Sequence, residues 1–267
     1  MHPYPESGLA DYLIPQWPTP AGVRAVCSTR AGGVSTPPYD SLNLGDHVGD
    51  DPSAVQSNRV RLQRTLKAKA VFLNQVHGTQ VLELVPDTPD KIPADAAFTR
   101  HTGLACSALV ADCLPILLCD LRGSVVAAVH AGWRGLAGQD GKGILEAVFE
   151  AIQSPGLMEC ARGDTEFIAW LGPCIGPQAF EVGAEVVSAF TDGRPQASNC
   201  FKARGADKWL ANLPALARQR LQALGVVQLF GNDGSPDWCT FTNPTRFFSY
   251  RRDGRATGRL AACIWLE

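Results

Sequence analysis

Apolar positions along the chain fall into short runs separated by Gly-, Pro- and Asp-rich breaks. Runs at residues 22–28, 70–74, 104–111, 115–120, 124–130, 166–171 and 225–230 have the length and composition of strands. A pair at 246–251 and 259–266 flanks a turn-rich segment and predicts a terminal hairpin. Helical periodicity is rarer. Residues 52–67 follow Asp51 as a cap and place Val55, Leu62 and Leu66 on one face. Residues 143–153 align Ile144, Val148 and Ile152, and residues 213–224 begin after Asn212, hold Pro214 in the first turn and stop at Gly225. Strands outnumber helices without alternating regularly with them. The pattern predicts an α+β fold with mixed or antiparallel sheets rather than a doubly wound parallel one.

The chain has 267 residues and shows no repeat, low-complexity tract or linker, so one domain spanning 1–267 is expected. With 24 basic and 26 acidic residues interspersed, the chain has no basic stripe to grip a phosphate backbone, so nucleic acid is not an expected partner. No apolar run approaches the roughly 18–20 residues of a spanning helix, and the N-terminal residues lack the pattern of a signal peptide. The nine cysteines are scattered without framework spacing, which predicts reduced thiols in a cytoplasmic protein.

Two adjacent segments carry the chemistry: VADCLPILLCDLRG (110–123) and SVVAAVHAGWRG (124–135). A two-residue turn at Arg122-Gly123 would make paired residue numbers sum to 245, placing Cys113 opposite Gly132 and on the face of His130. Such diagonal neighbours lie about 7–8 Å apart, within reach of one shared ion. A three-residue turn would put them on opposite faces. His77, in LNQVHGTQV, is the best third ligand; His47 is a possible fourth or a local cap, and His2 and His101 have no comparable context. Arg134 follows His130 on the way to the helix near Gly143, where a guanidinium and backbone amides could hold an anion. Asp112 and Asp95 are candidates for general acid or base, against the alternative of ordinary capping carboxylates. Cys174, in GPCIGP, is read as a structural turn residue.

Taken together, STRAGGVSTPPYDSLNLGDHVGDDPSAVQSNR (28–59), NQVHG (74–78), ADCLPILLCD (111–120), VHAGWRG (129–135), GPCIGP (172–177) and FFSYRRDG…GR (247–259) resemble the YfiH-type family, also called the polyphenol-oxidase or laccase-domain family. The resemblance implies a zinc ion on His77, Cys113 and His130. It also implies a sandwich of two packed sheets flanked by helices, similar to the deamidase domain of the cytotoxic necrotizing factor toxins. The implied activity is phosphorolysis of adenosine, inosine and methylthioadenosine, with adenosine deamination, so nucleosides and phosphate are the expected partners of a monomer or small homo-oligomer. Asn43 and Gln75, within the matching stretches, are substrate or phosphate candidates alongside Arg134. The family's ADALVT reads here as Ala94-Asp95-Ala96-Ala97-Phe98-Thr99, keeping the aspartate and changing the apolar pair after it.

Other readings compete. A multicopper oxidase centre needs about ten imidazoles, whereas this chain has five histidines, and only Met1 and Met158 could supply a blue-copper axial ligand. Copper is therefore a possible but not the expected native ion. Three protein ligands with an open fourth position are the catalytic zinc pattern, and the H-x-E…P-C-x-x-C signature of zinc nucleobase deaminases is missing. A metal-free Cys113–His130 hydrolase or amidase acting on peptidoglycan precursors is a second class. A non-catalytic zinc-stabilised binding protein is a third.

Overall fold

The computed structural model describes residues 11–154 and 166–267; His2, Met158 and Cys160 lie outside the described residues. Two large mixed sheets dominate. The first is five-stranded, in the order β1 (Tyr12–Leu13), β2 (Val23–Ser28), β14 (Leu260–Leu266), β6 (Leu104–Val110) and β3 (Lys69–Val71), with only β3 and β6 parallel. The second is six-stranded, in the order β13 (Gln228–Gly231), β9 (Phe167–Leu171), β7 (Leu114–Asp120), β8 (Val126–Ala131), β5 (Ala96–Thr99) and β4 (Val81–Glu83). Its outer pairs are parallel and its inner pairs antiparallel.

Alternation along the strands explains the layering. In β7, Leu117 and Cys119 turn towards the first sheet, while Leu114, Ile116 and Leu118 turn towards helices. In β14, Ala262, Ile264 and Leu266 meet β7–β9, whereas Ala261, Cys263 and Trp265 pack under helix α1 (Pro52–Leu66). Helices α2 (Trp133–Ala137), α3 (Ile144–Ile152), α4 (Ala184–Thr191) and α5 (Leu213–Ala223) cover the other outer face. The central strands are therefore buried on both sides, and their sequences read as continuous apolar runs rather than alternating ones. Each fully buried leucine among them contributes roughly 1.5–3 kcal/mol.

The caps fall where the sequence places them. Asp51 accepts the Ser53 amide at 2.7 Å, Asn212 accepts that of Ala215 at 3.0 Å, and Gly225 takes a left-handed conformation after α5. Other features differ from expectation, strands β1, β4 and β5 and helix α2 lying outside the predicted elements. A third, antiparallel sheet of β10 (Glu181–Val182), β12 (Trp209–Ala211) and β11 (Phe201–Ala203) was not anticipated from its short, half-exposed strands. Helix α4 was missed as well.

The terminal hairpin does not form. Phe247 and Phe248 are both completely buried, which an alternating edge strand cannot achieve. The chain turns instead into a short helix, α6 (Tyr250–Asp253), capped by the Ser249 hydroxyl on the Arg252 amide at 3.2 Å. β14 then pairs with β2 and β6 rather than with 246–251.

Candidate metal and substrate site

The β7–β8 hairpin sets the first two donors. Pro115 lies opposite His130 and Cys119 opposite Val126, so the partner numbers sum to 245 as the sequence predicts. The connection is wider than two residues: Asp120 bonds Val125, and the four-residue loop between them is held by the Asp120 carboxylate, which accepts the Ser124 and Val125 amides at 2.7 and 3.0 Å. An even loop length preserves the parity. Cys113, one residue before β7, therefore emerges beside His130 at the end of β8.

His77 arrives from the first sheet, in the loop after β3. It sits at φ +60°, an uncommon conformation for a residue with a Cβ. Asp95, 1% exposed just before β5, stabilises that turn by accepting the His77 amide at 2.8 Å and the Gly78 amide at 2.7 Å. The same carboxylate lies 2.8 Å from His130 Nδ1, which leaves Nε2 of that ring for the cavity. Burial alone would raise the Asp95 pKa, but the His130 ring and the loop amides hold it below the usual carboxylate range.

The side-chain donors of His77, Cys113 and His130 lie within 4.8 Å of one another. Cys113 Sγ is 3.8 Å from His77 Nε2, close to the roughly 3.5 Å edge of a tetrahedral zinc site, and the two imidazoles meet edge-on with centroids 4.7 Å apart. A Cβ on Gly132 would come 2.9 Å from the His77 ring and 3.2 Å from Cys113 Sγ, so only glycine leaves the cradle open. A Cβ on Gly135 would approach the Gly78 carbonyl to 2.6 Å, so this glycine admits the His77 loop. Two imidazoles and a thiolate, with an orienting carboxylate behind one of them, fit a metal ion. Without one, burial pushes the Cys113 thiol up, but His130 and His77 outweigh it and bring it down to about 6. Burial lowers His130, while Cys113 and Asp95 raise it to about 9.

The cluster opens into a cavity of about 510 Å³. Apolar walls come from Leu109, Val110, Ile175, Phe180, Leu213 and Trp133, with Tyr250 and Arg251 of α6 at the rim. Arg134 also lines it, from within α2 rather than from a turn, exposed and stacked 4.5 Å over the Trp133 ring. At the start of α3 the Gly143 amide is already engaged, donating to the Glu146 carboxylate at 2.8 Å. Gln75 lines the cavity, but its amide group is engaged by the Leu109 backbone at 2.7 and 2.8 Å. Asp112, also lining, accepts the Thr240 hydroxyl at 2.5 Å and the Arg251 amide at 2.6 Å, which ties the residue before Cys113 to α6. His47 lines the cavity without joining the donor cluster. Asn43 is buried and does not line the cavity. Cys174 is buried in its turn, and Phe98, in the altered ADAAFT stretch, packs into the core. Sequence reasoning gave no role to Trp133, Phe180, Tyr250, Arg251 or Arg259; the FFSYRRDG…GR stretch was the available signal for the last three.

Fold and site together define an α+β protein whose two large sheets bring together three donors able to hold a metal ion. The family described as multi-copper polyphenol oxidoreductase laccase matches over residues 24–267, and the chain belongs to it, the YfiH-type purine nucleoside phosphorylase family. The chain is 49% identical to the purine nucleoside phosphorylase YfiH of Shigella flexneri over 97% of this chain and 100% of that one. It is 46% identical to a Pseudomonas aeruginosa purine nucleoside phosphorylase, over 96% and 98%. Its fold matches a Neisseria meningitidis protein of 45% identity with a TM-score of 0.85, covering 96% and 99% of the two chains. YlmD from Geobacillus stearothermophilus, 29% identical, also gives 0.85 over 99% and 98%. Among the described residues, no helix is long and apolar enough to cross a membrane.

Proposed function

We propose that this chain is a cytoplasmic purine nucleoside phosphorylase, acting on adenosine, inosine and methylthioadenosine within one catalytic domain, and that it also deaminates adenosine. The observation that carries the reading is the His77–Cys113–His130 cluster opening into a cavity of nucleoside size, in a chain nearly half identical to named phosphorylases. The ion it would hold is zinc, which supplies Lewis-acid polarisation when bound.

The chain's own groups do the rest. Trp133, Phe180 and Tyr250 offer aromatic faces to a purine, and Arg134 offers a guanidinium to phosphate. In phosphorolysis a phosphate oxygen forms a bond to the anomeric carbon of the ribose. The glycosidic bond breaks with its electron pair going to the purine, which takes up a proton. Asp95 is fully committed to His77, Gly78 and His130, so its part is to orient the donors. Asp112, likewise engaged on both oxygens, sets the position of α6.

The test is incubation of the zinc-loaded protein with each nucleoside, with and without inorganic phosphate. Free base should appear only with phosphate, and inosine should form from adenosine. Base release independent of phosphate, or no turnover, would overturn the proposal. The thiol lowered to about 6 beside His130 keeps a Cys–His hydrolase as the second reading. Activity that survives complete chelation would favour it, with muropeptide precursors as the substrates to try.

A further inference from the structure

The SLNLG stretch near the N-terminal end of the described chain has no group in the cavity, yet three of its residues touch Arg259, which does. Asn43 Oδ1 accepts the Arg259 amide at 2.9 Å, and the Leu44 amide donates to the Arg259 carbonyl at 3.1 Å. A Cβ on Gly45 would fall 2.6 Å from Arg259 Cγ, so glycine there makes room for the arginine stem. Asn43 is itself fixed, its Nδ2 donating to the Gly45 carbonyl at 3.1 Å and to Asp50 Oδ2 at 2.9 Å. On its other side the strap is held by α1, whose Asn58 Nδ2 and Arg59 Nε donate to the Asn43 and Leu44 carbonyls at 2.9 and 3.0 Å, so Arg259 is fixed against an anchored segment.

Arg259 lines the cavity half-buried. Its Nη1 donates to the Thr257 and Gly258 carbonyls at 2.9 and 3.1 Å, while Nε and Nη2 make no hydrogen bond among the described residues, the Cys113 and Asp112 charges acting on the group only through space. The other two guanidiniums lining the cavity, on Arg134 and Arg251, are exposed. Solvent screens an exposed charge, whereas a half-buried one acts at a lower effective dielectric. A guanidinium held by one nitrogen presents its remaining edge as a ready fork for an oxyanion.

We propose that Arg259 is the principal phosphate-binding residue of the cavity, with Asn43, Leu44 and Gly45 as its positioning strap and Arg134 as a weaker, solvent-screened contact. The inference rests on the phosphorolytic reading and names which residue holds the anion.

Steady-state constants for inorganic phosphate and for inosine should be measured on zinc-loaded wild type, Arg259→Ala, Arg259→Lys and Gly45→Ala. Loss of a charge-assisted bond should raise the phosphate KM of Arg259→Ala roughly 10- to 150-fold, more than Arg134→Ala does. The inosine KM should stay within about twofold, as expected when one substrate's contact alone is removed. Gly45→Ala, which displaces the arginine without deleting it, should move the phosphate KM in the same direction by less, at unchanged zinc content. If Arg259→Ala does not fold, Arg259→Lys and Gly45→Ala report the same constant. Phosphate-dependent cleavage by wild type with an unchanged phosphate KM in the variants would overturn the assignment and leave phosphorolysis standing. Absence of phosphate-dependent cleavage in wild type would overturn the functional reading. Calorimetric titration of wild type and variants with inorganic phosphate would then decide Arg259 by itself.

Discussion

At the scale of single residues, Cys113 and Asp95 make the sharpest predictions. Cys113 is the half-buried thiol beside two imidazoles, whereas Cys27, Cys106 and Cys263 are buried with pKa values raised by desolvation. Reactivity follows the thiolate. In metal-stripped protein at neutral pH, iodoacetamide should therefore modify Cys113 first, and zinc should protect it. Peptide mapping that finds another described cysteine labelled first, or no protection by zinc, would contradict the assignment. Asp95→Asn should weaken metal binding about 10- to 100-fold, because a carboxamide orients His130 less firmly. Competition with a chelator of known affinity gives that number, and an unchanged value would leave Asp95 no part in positioning the donors. The Cys113–His130 pair was legible in the sequence because strand parity is arithmetic. The Asp95 function was not, since it depends on a loop from the other sheet folding back onto the carboxylate. Arg259 was hidden for the same reason: its strap is 216 residues away along the chain.

At the scale of elements, periodicity located α1, α3 and α5 and the central strands within a few residues, because each buries an apolar face large enough to leave a pattern. Segment 246–251 defeated it. Two adjacent phenylalanines look like strand, but both are buried, and the turn that buries them is held by Ser249 and Asp112. The contact between α3 and α5 was equally invisible, since it is polar. Glu146 accepts Arg220 Nε at 2.9 Å and Nη2 at 2.7 Å, and Arg220 is only 5% exposed. Burial alone would raise the Glu146 pKa, but Arg220 and the Gly143 amide hold it below its usual value. Glu146→Gln leaves a buried guanidinium without its counter-charge and should destabilise the protein by on the order of 3 kcal/mol. A carboxylate with a depressed folded-state pKa contributes fully above its unfolded value and loses that contribution as pH falls through the folded one. The gap in unfolding free energy between wild type and Glu146→Gln should accordingly be constant at neutral pH and close below about pH 4.5. A gap that keeps its full neutral-pH size as pH falls well below about 4.5 would show that packing, not charge, makes the contact.

At the scale of the whole molecule, the α+β class with mixed sheets was legible from the surplus of short apolar runs and the two-sheet sandwich only through the family resemblance, while the third sheet was not, because its strands are two and three residues long and half exposed. The site joins the two large sheets: His77 follows β3 of one, and Cys113 and His130 belong to the hairpin of the other. A metal bound there ties the sheets together, so it should stabilise the fold by mass action, about 2.7 kcal/mol at a free zinc concentration of 100 times Kd. Protons compete for the same donors, and the metal-free titrations fix the form of that competition. Between about pH 6 and 9 Cys113 is already a thiolate while His130 still carries a proton, so binding releases one proton there. The apparent zinc affinity should rise roughly tenfold per pH unit across that window. Below about 6 Cys113 and His130 are both protonated, at least two protons must leave, and the slope should steepen to roughly a hundredfold per unit or more. Zinc-dependent stabilisation, read as the difference in Tm with and without the ion, should therefore collapse on acidification below pH 6 and return on neutralisation with zinc present. His130→Ala should lose most of the metal binding, and because the Cys113 thiol then loses the charge that lowers it most, the residual zinc affinity should still rise with pH as that thiol ionises. A zinc affinity that is flat across neutral pH in the wild-type protein would mean that His130 enters the site already neutral, and that its charged pairing with Cys113 plays no part in metal binding.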